Sequence, residues 1–464
     1  MNPDAGWELD VNAKPEAKLT AREAALKALV RLEKDNAYLN LALEPLLREL
    51  SPRDKTLAVR IAYGTVQRLN TIDWILDHLL NRPLSGLTPW IRNIMRLSAY
   101  QLYYLERIPA HAAVDAAARL AGRYGHRGVT GLVNAVLRRL ARGSLDLPWP
   151  GKMKQPVEYL ALEYSQPAWL ARRRLERYGL EEAEALCRAD NEVAPLSLRP
   201  NRLRVTAEEL RQKLLAEGVE AVSSRHVPGM LQIKSRQAVA QLKAFREGLF
   251  TVQGDSSALV APNLDPQPGE EILDLCSAPG GKTTHLAELI SDCGRVHAVD
   301  IHPQRLRLVE QAARRLGLSS INLIPADGRS LSNEMLPPQD RILVDAPCSG
   351  LGVIRRLPEI KWRRRESDLA AMQKQQLSLL QAAAVLLTPG GRLLYSVCSN
   401  EAEETTAVVK ALSRTHPGLV LQDEFPAVPA NLAAAQAGGI LELLPHRHGV
   451  DGFYMALWRK PLLL

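Results

Sequence analysis

No stretch of these 464 residues approaches the roughly 20 uncharged apolar positions of a membrane span, so no membrane partner is expected. Residues 1–17 form a polar tail of mixed charge without an apolar core, which does not read as a secretory signal, and the cytoplasm is the expected compartment. Cysteine is scarce. The five, at positions 187, 276, 293, 348 and 398, are odd in number, contain no C-x-x-C pair and lack histidines at zinc-ligand spacing. This argues against both a disulfide framework and a metal site. A phosphate-cradling Walker loop is missing too: Gly281-Lys282 needs a glycine five positions before it, and Cys276 stands there. A dinucleotide fingerprint fails for want of a second properly spaced glycine.

What is present points to a multidomain chain, since about 150 residues per domain gives about three. The 59 Lys and Arg against 51 Asp and Glu leave a formal charge of +8, a modest bias toward an anionic partner. Residues 18–145 read as nearly continuous helix. Thr20-Ala21-Arg22-Glu23 is a capping-box pattern, Ser51-Pro52 a second helix start, and Pro89 opens a third. Ile91, Ile94, Met95, Ser98 and Leu102 follow helical spacing, as do Val129, Leu132, Val133, Val136, Leu137 and Leu140. Opposite the last stripe stand Arg138, Arg139 and Arg142, with Arg123, His126 and Arg127 just before. Singly each is an ordinary solvated charge; together they suit phosphate.

A Pro/Gly-rich linker around Leu147 to Lys152 precedes a module over 155–248. In it, helices bearing Arg172, Arg173 and Arg174 lead to a strand at Leu196 to Arg199, a helix from Thr206 to Glu217, a strand at Leu231 to Ile233 and a helix near Val239 to Ala244. That order predicts a small α+β unit. From 249 to 464 the pattern alternates. Short apolar runs at Glu271 to Leu275, Arg295 to Val299, Ile321 to Ile324, Arg341 to Val344 and Arg392 to Ser396 suit buried parallel strands, with helices between. The expectation is a doubly wound, Rossmann-like α/β domain that binds ligands at the carboxyl ends of its strands.

Cys276, Ser277, Ala278, Pro279, Gly280, Gly281 and Lys282 follow the first of these strands and open a helix. Asp300 ends the second, and Asp327 follows the third. A strand-end Asp is commonly a helix N-cap. Here the ordered landmarks suit ribose hydroxyls at Asp300 and an adenine amino group at Asp327, demands that S-adenosyl-L-methionine makes. Two further segments carry cysteine, Asp345-Ala346-Pro347-Cys348-Ser349-Gly350 and Tyr395-Ser396-Val397-Cys398-Ser399. Either cysteine alone reads as a small buried residue. A pair beside one base suits carbon methylation of cytosine, where a thiolate adds at C6 to activate C5 and a second thiol helps the adduct break down. Spacing does not say which cysteine attacks.

Arg22 to Leu140, including LSPRDKTLAVRIAYGTVQR and GLVNAVLRRL, resembles the RNA-binding domain of the NusB antitermination-factor type. Phe250 to Trp458 resembles the methyltransferase domain of the NOL1/NOP2/Sun family of RNA 5-cytosine methyltransferases, at Asp274 to Lys282, Asp300, Asp327, Asp345 to Gly350, Lys361-Trp362, Tyr395 to Ser399 and Asp451-Gly452-Phe453. The domain order resembles bacterial enzymes of 16S ribosomal RNA. That resemblance implies Cys398 as nucleophile, Cys348 in product release, S-adenosyl-L-methionine as methyl donor and 16S ribosomal RNA as substrate. Asp345 suits the cytosine edge, where a shared proton at N3 favours attack at C6, and Lys282 suits orienting its carboxylate. Cytosine C6 is blocked inside a duplex, so RNA before full subunit assembly is the expected substrate, and a monomer is expected. Val397 stands where the family usually has Thr, and Thr405 replaces the Asn of an acidic Glu-Asn pair, which puts a hydroxyl contact and an amide contact in doubt. Arg355, Arg356, Lys361, Arg363, Arg364 and Arg365 form the densest basic run and are expected to contact phosphate, with Trp362 stacking or anchoring a loop. Two other functions fit parts of the pattern: a transfer-RNA cytosine methyltransferase, and a non-catalytic RNA-binding or ribosome assembly factor.

Overall fold

A computed structural model describes residues 19–143, 145–233 and 239–462, so the polar tail over 1–17 lies outside the described residues. The chain divides into two compact units, Met1–Pro148 and Trp149–Leu464.

In the first unit the described helices span Ala21–Lys34, Leu39–Leu47, Pro52–Gln67, Leu69–Leu79, Pro89–Tyr104, Ala110–Tyr124 and Arg127–Ala141. Thr20, Ser51 and Thr88 each cap a helix by accepting from the backbone N–H three residues on, which satisfies a donor the helix leaves orphaned. At Thr20 only half of the capping box forms. The Glu23 carboxylate turns inward instead, accepting from Tyr124 Oη at 2.6 Å and pairing with Arg123 Nη1 at 2.8 Å. Ile91, Ile94, Met95 and Ser98 are buried as their spacing predicts, and so are Val133, Val136, Leu137 and Leu140. Leu132, at the edge of its stripe, is exposed.

The second unit begins with helices Pro156–Glu163 and Ala168–Ala189, packed through Leu160, Ala161, Ala171, Ala183 and Cys187. A four-stranded antiparallel sheet follows, of β1 (Leu196–Pro200), β2 (Ala221–Ser223), β3 (Leu231–Ile233) and β4 (Phe250–Val252), in the order β2-β3-β1-β4. Thr206 and Glu209 form a complete capping box on helix Ala207–Ala216, whose Leu210 and Leu214 bury against this sheet. The sheet runs past the expected boundary at 248. Phe250 pairs with Pro200 and Val252 with Leu198, so the first apolar run after Gly248 closes the small sheet rather than opening the next domain.

The larger sheet contains β5 (Glu271–Leu275), β6 (Arg295–Asp300), β7 (Ile321–Pro325), β8 (Gln339–Asp345), β9 (Leu387–Val397), β10 (Val420–Leu421), β11 (Gln436–Ala437), β12 (Ile440–Leu443) and β13 (Phe453–Arg459). Its order is β11-β12-β13-β9-β8-β5-β6-β7, with β10 beside β13. Strands β5 to β9 pair in parallel, while β10 to β13 add antiparallel pairs at one side. Strand order reverses between β5 and β8, and the crevice at such a switch point is where open α/β sheets take ligands. A buried polar junction joins the two sheets. Arg199 of β1 donates to Gly281 O at 2.7 Å, to Thr284 Oγ1 at 3.1 Å and to Glu288 Oε1 at 2.7 Å, on the helix Gly281–Leu289 that follows β5.

Candidate functional site

The loop after β5 is held tightly. Cys276 has φ 65°, Ser277 N donates to Val299 O at 2.9 Å, and Gly280 N donates back to Ser277 O at 2.8 Å. At Gly280, φ is 102° and a Cβ would lie 3.1 Å from the Val309 Cα, so a side chain would be strained as well as crowded. Beneath the loop, Asp274 Oδ2 accepts from Thr283 Oγ1 at 2.7 Å, while Asp274 Oδ1 and Ser277 Oγ are buried without a hydrogen-bond partner. Burial pushes the Asp274 carboxyl up to about 7. The Cys276 thiol is pushed up to about 12 by burial and by the carboxylates of Asp345, Asp274 and Asp300, which makes it a poor nucleophile.

Asp300 closes β6 as a buried carboxylate. Its Oδ1 accepts from His302 N at 2.9 Å, and its Oδ2 lies 3.4 Å from Arg305 Nη1. Asp327 is more open, and Arg329 takes both its oxygens at 2.6 to 3.1 Å. Those hydrogen bonds hold its pKa below the usual carboxylate value. Asp327 also accepts from the Arg329 N–H, so it fills the N-cap role that a strand-end Asp commonly has.

The ends of β8 and β9 bring the remaining chemistry together. Asp345 and Ser396 face each other in register, and Ser396 Oγ donates to Asp345 Oδ1 at 2.7 Å. Lys282 Nζ reaches the other oxygen, Oδ2, at 2.5 Å and sits 5.3 Å from the centre of the Phe453 ring. Beyond them Cys348 and Cys398, fifty residues apart in sequence, stand with their sulfurs 3.4 Å apart. The hydrogen bond to Cys398, with burial, pushes the Cys348 thiol well above the ordinary value, which favours its neutral form. Backbone closeness makes this possible. Gly352 N donates to Cys398 O at 2.9 Å and Gly452 N to Gly352 O at 2.8 Å, and a Cβ on Gly352 would lie 2.1 Å from the Gly452 oxygen.

The basic run between the cysteines differs from the exposed phosphate surface expected of it. Asp451 takes Arg355 Nε on one oxygen and Arg356 Nε on the other, each at 2.6 Å, and Arg356 Nη1 donates to Pro195 O at 3.0 Å. Lys361 is fully buried, its ammonium donating to Ser165 O at 2.5 Å. These three cations face acceptors inside the fold, and composition alone does not distinguish an internal brace from a surface. Arg364 binds the carbonyls of Ser349 and Cys348, Arg363 is half-buried on the short helix Ile360–Arg363, and Arg365 is exposed. On the helical unit Arg138, Arg139 and Arg142 are exposed, and Arg139 and Arg142 line a cleft of about 450 Å³ with His78 and Asp146.

Glu404 is the residue sequence reasoning undervalued. In sequence it is only the acid before Thr405, yet its buried carboxylate binds both cysteine loops. Ser349, Ser396, Ser399 and Gln376 carried no signal of their own, because single polar residues acquire a role only when the fold converges them.

Three family patterns match the chain: the one described as 16S rRNA methyltransferase RsmB/F over residues 261–459, the NusB family over 19–142, and the Methyltr_RsmF/B-like ferredoxin-like domain over 166–240. The probable ribosomal RNA small subunit methyltransferase B of Bacillus subtilis is 37% identical, with 96% of this chain and 99% of that protein covered. Among solved structures, PH0851 superposes with a TM-score of 0.81 at 29% identity, covering 96% of this chain and 100% of the other. NSun6 from Pyrococcus horikoshii, solved with SFG, gives 0.57 at 25% identity over 63% of this chain and 98% of its own. A helical NusB-like unit, a ferredoxin-like module and a Rossmann-like sheet with paired thiols at its strand ends thus occur in one order, matched nearly end to end. The chain belongs to the 16S rRNA methyltransferase RsmB/F family.

Proposed function

We propose that this protein methylates C5 of a cytosine in 16S ribosomal RNA, using S-adenosyl-L-methionine and a transient covalent bond between Cys398 and C6 of the base. The observation that carries this reading is the contact of two thiols, 3.4 Å apart, beside the Lys282–Asp345 pair. The names of the relatives support ribosomal RNA as the substrate class.

The residues at the strand ends fit the cofactor. Asp274 Oδ1 and Ser277 Oγ are buried polar atoms without partners, Gly280 lets the backbone come close, and Asp300 is a buried acceptor suited to ribose hydroxyls. Cys276 to Lys282, Asp300, Asp327 and Asp345 would hold it. When bound, S-adenosyl-L-methionine supplies an electrophilic methyl group.

The chain's own groups supply the rest. The Cys398 thiolate adds to C6, forming the S–C6 bond and placing electron density at C5. Asp345 holds the base edge and shares with N3 a proton taken up from solvent, which favours attack, while Lys282 fixes the carboxylate by its ammonium. Once C5 carries the methyl group, its proton leaves to a base and the S–C6 bond breaks. Cys348, kept in its neutral form, assists this release. Because C6 is blocked inside a duplex, the target cytosine must be flipped or unpaired, which agrees with ribosomal RNA before full assembly. Of the arginines expected to meet phosphate, Arg138, Arg139, Arg142 and Arg365 are exposed and suit that role.

Incubating unmodified 16S ribosomal RNA and transfer RNA with labelled S-adenosyl-L-methionine, then mapping 5-methylcytosine, tests the reading. Label at a cytosine of 16S RNA supports it. Label only in transfer RNA transfers the proposal to that substrate, and no label in either overturns it.

A further inference from the structure

The parallel ladder between β8 and β9 does not set the spacing of the thiols. Its last backbone hydrogen bond runs from Ala346 N to Ser396 O at 3.1 Å, before either cysteine. Both loops then leave the sheet. Gly352 N on Cys398 O joins them, and so does the carboxylate of Glu404: its Oε1 accepts from Ser349 N at 2.7 Å, and its Oε2 accepts from Ser349 Oγ at 2.5 Å and Ser399 Oγ at 2.6 Å. Each serine is the immediate neighbour of a cysteine. The two hydroxyls also touch each other at 3.1 Å.

Glu404 is itself fixed. Gln376 Nε2 donates to its Oε1 at 3.0 Å and to Pro347 O at 3.0 Å, so the same amide grips the cysteine loop directly. Tyr395 Oη, on β9, donates to the Glu404 backbone oxygen at 2.7 Å. A buried carboxylate holding four donors has its acceptor capacity spent on protein groups, which argues for holding rather than for chemistry on a substrate.

We infer that Glu404 is a positioning residue: through Ser349 and Ser399 it yokes the two cysteine loops and sets the distance between the Cys348 and Cys398 sulfurs. The proposal rests on the reading of those thiols as the reacting groups, but the spacing it explains exists whether or not they react. A misplacement of reacting atoms by about 1 Å can cost about a hundredfold in rate, so the yoke bears on turnover more than on RNA binding.

The test uses the full-length chain and two readouts. Glu404→Ala is expected to lower kcat for RNA methylation by about a hundredfold, with KM for RNA within about twofold of the parent. Glu404→Gln keeps the shape and an acceptor for Ser349 N–H, and should restore most of the loss. The second readout needs no turnover. Diamide, an azo oxidant, accepts the two thiol hydrogens as the Cys348–Cys398 disulfide forms and is reduced to the hydrazine. Closure, followed by mass of the linked peptides, should slow in Glu404→Ala and recover in Glu404→Gln. If melting shows that Glu404→Ala does not fold, Ser399→Ala removes the Ser399 hydroxyl's contacts with Glu404, Ser349 and Glu401 N while Glu404 still holds Ser349, and carries both readouts at smaller amplitude. Closure at the parent rate in the folded variant overturns the proposal even if activity falls, and so does failure of Glu404→Gln to rescue. Slowed closure in a chain whose parent never methylates cytosine leaves the yoke standing and removes only the functional reading.

Discussion

Lys282 and Asp345 meet at 2.5 Å across the switch point of the sheet, one from the helix after β5 and the other from the end of β8. Ser396 occupies the second carboxylate oxygen at 2.7 Å, so the Asp345 side chain is held from two sides by neighbouring elements. A group pinned this way is preorganised, which the proposed contact of Asp345 with the cytosine edge would need.

Asp345→Ala should therefore lower methylation by at least about a hundredfold, the lower end of what a positioned proton-sharing group contributes. Folding should be retained, since the side chains of Asp345 and Lys282 are both partly exposed and water can replace their pairing. Single-turnover methylation alongside thermal melting checks this, and near-normal turnover in a folded variant would remove Asp345 from the chemistry.

Asp274 gives a pH signature. Folding raises its pKa from 3.8 to about 7, so between those values the folded chain keeps a proton that the unfolded chain has released. Its contribution to stability is full below the lower value and is lost as pH rises through the upper one. Asp274→Asn stays neutral throughout. The melting temperature of the parent relative to Asp274→Asn should fall between about pH 4 and about pH 7 and level off above, and a constant difference would contradict the assignment.

Arg199 and Glu288 form a buried ion pair at 2.7 Å between the small sheet and the helix Gly281–Leu289 after β5. Arg199→Met leaves the Glu288 carboxylate uncompensated and should cost about 3–5 kcal/mol in denaturant unfolding. Burial already raises the Glu288 pKa, so the deficit should shrink as pH is lowered and the carboxyl takes a proton. A deficit independent of pH would mean that poorer packing, not stranded charge, dominates.

The parallel strands were legible because each is a short, nearly continuous apolar run: all five predicted segments lie within β5 to β9. The strands β10 to β12 were not, being two to four residues long, and β2 and β4 are three residues each; β13 lies inside the sheet, and its unbroken apolar run from Phe453 to Trp458 was legible by the same rule as the parallel strands. At the site, Cys348, Cys398, Asp345 and Lys282 were nameable and do converge, because strand ends of one sheet face one crevice. Charge was misread where it mattered locally. Arg355, Arg356 and Lys361 look like a phosphate surface in sequence, but their acceptors, Asp451, Pro195 and Ser165, lie 95 or more residues away along the chain.

Arg138, Arg139 and Arg142 remain exposed on the helical unit. Replacing all three with Gln should weaken RNA binding and flatten its salt dependence by about 0.7–0.9 in log–log slope for each phosphate that these arginines neutralise. S-adenosyl-L-methionine affinity should not move. An unchanged salt slope would remove this face from the RNA interface.

The central claim is that one thiol forms the bond to cytosine C6 and the other helps break it. Mixing 16S RNA and S-adenosyl-L-methionine with each cysteine variant and running a denaturing gel tests it directly. Cys398→Ala should bind RNA and give no denaturant-resistant species. Cys348→Ala should accumulate a protein–RNA adduct because attack and methylation proceed while release stalls. An adduct that accumulates with Cys398→Ala and is absent with Cys348→Ala would contradict the account and assign the attack to Cys348.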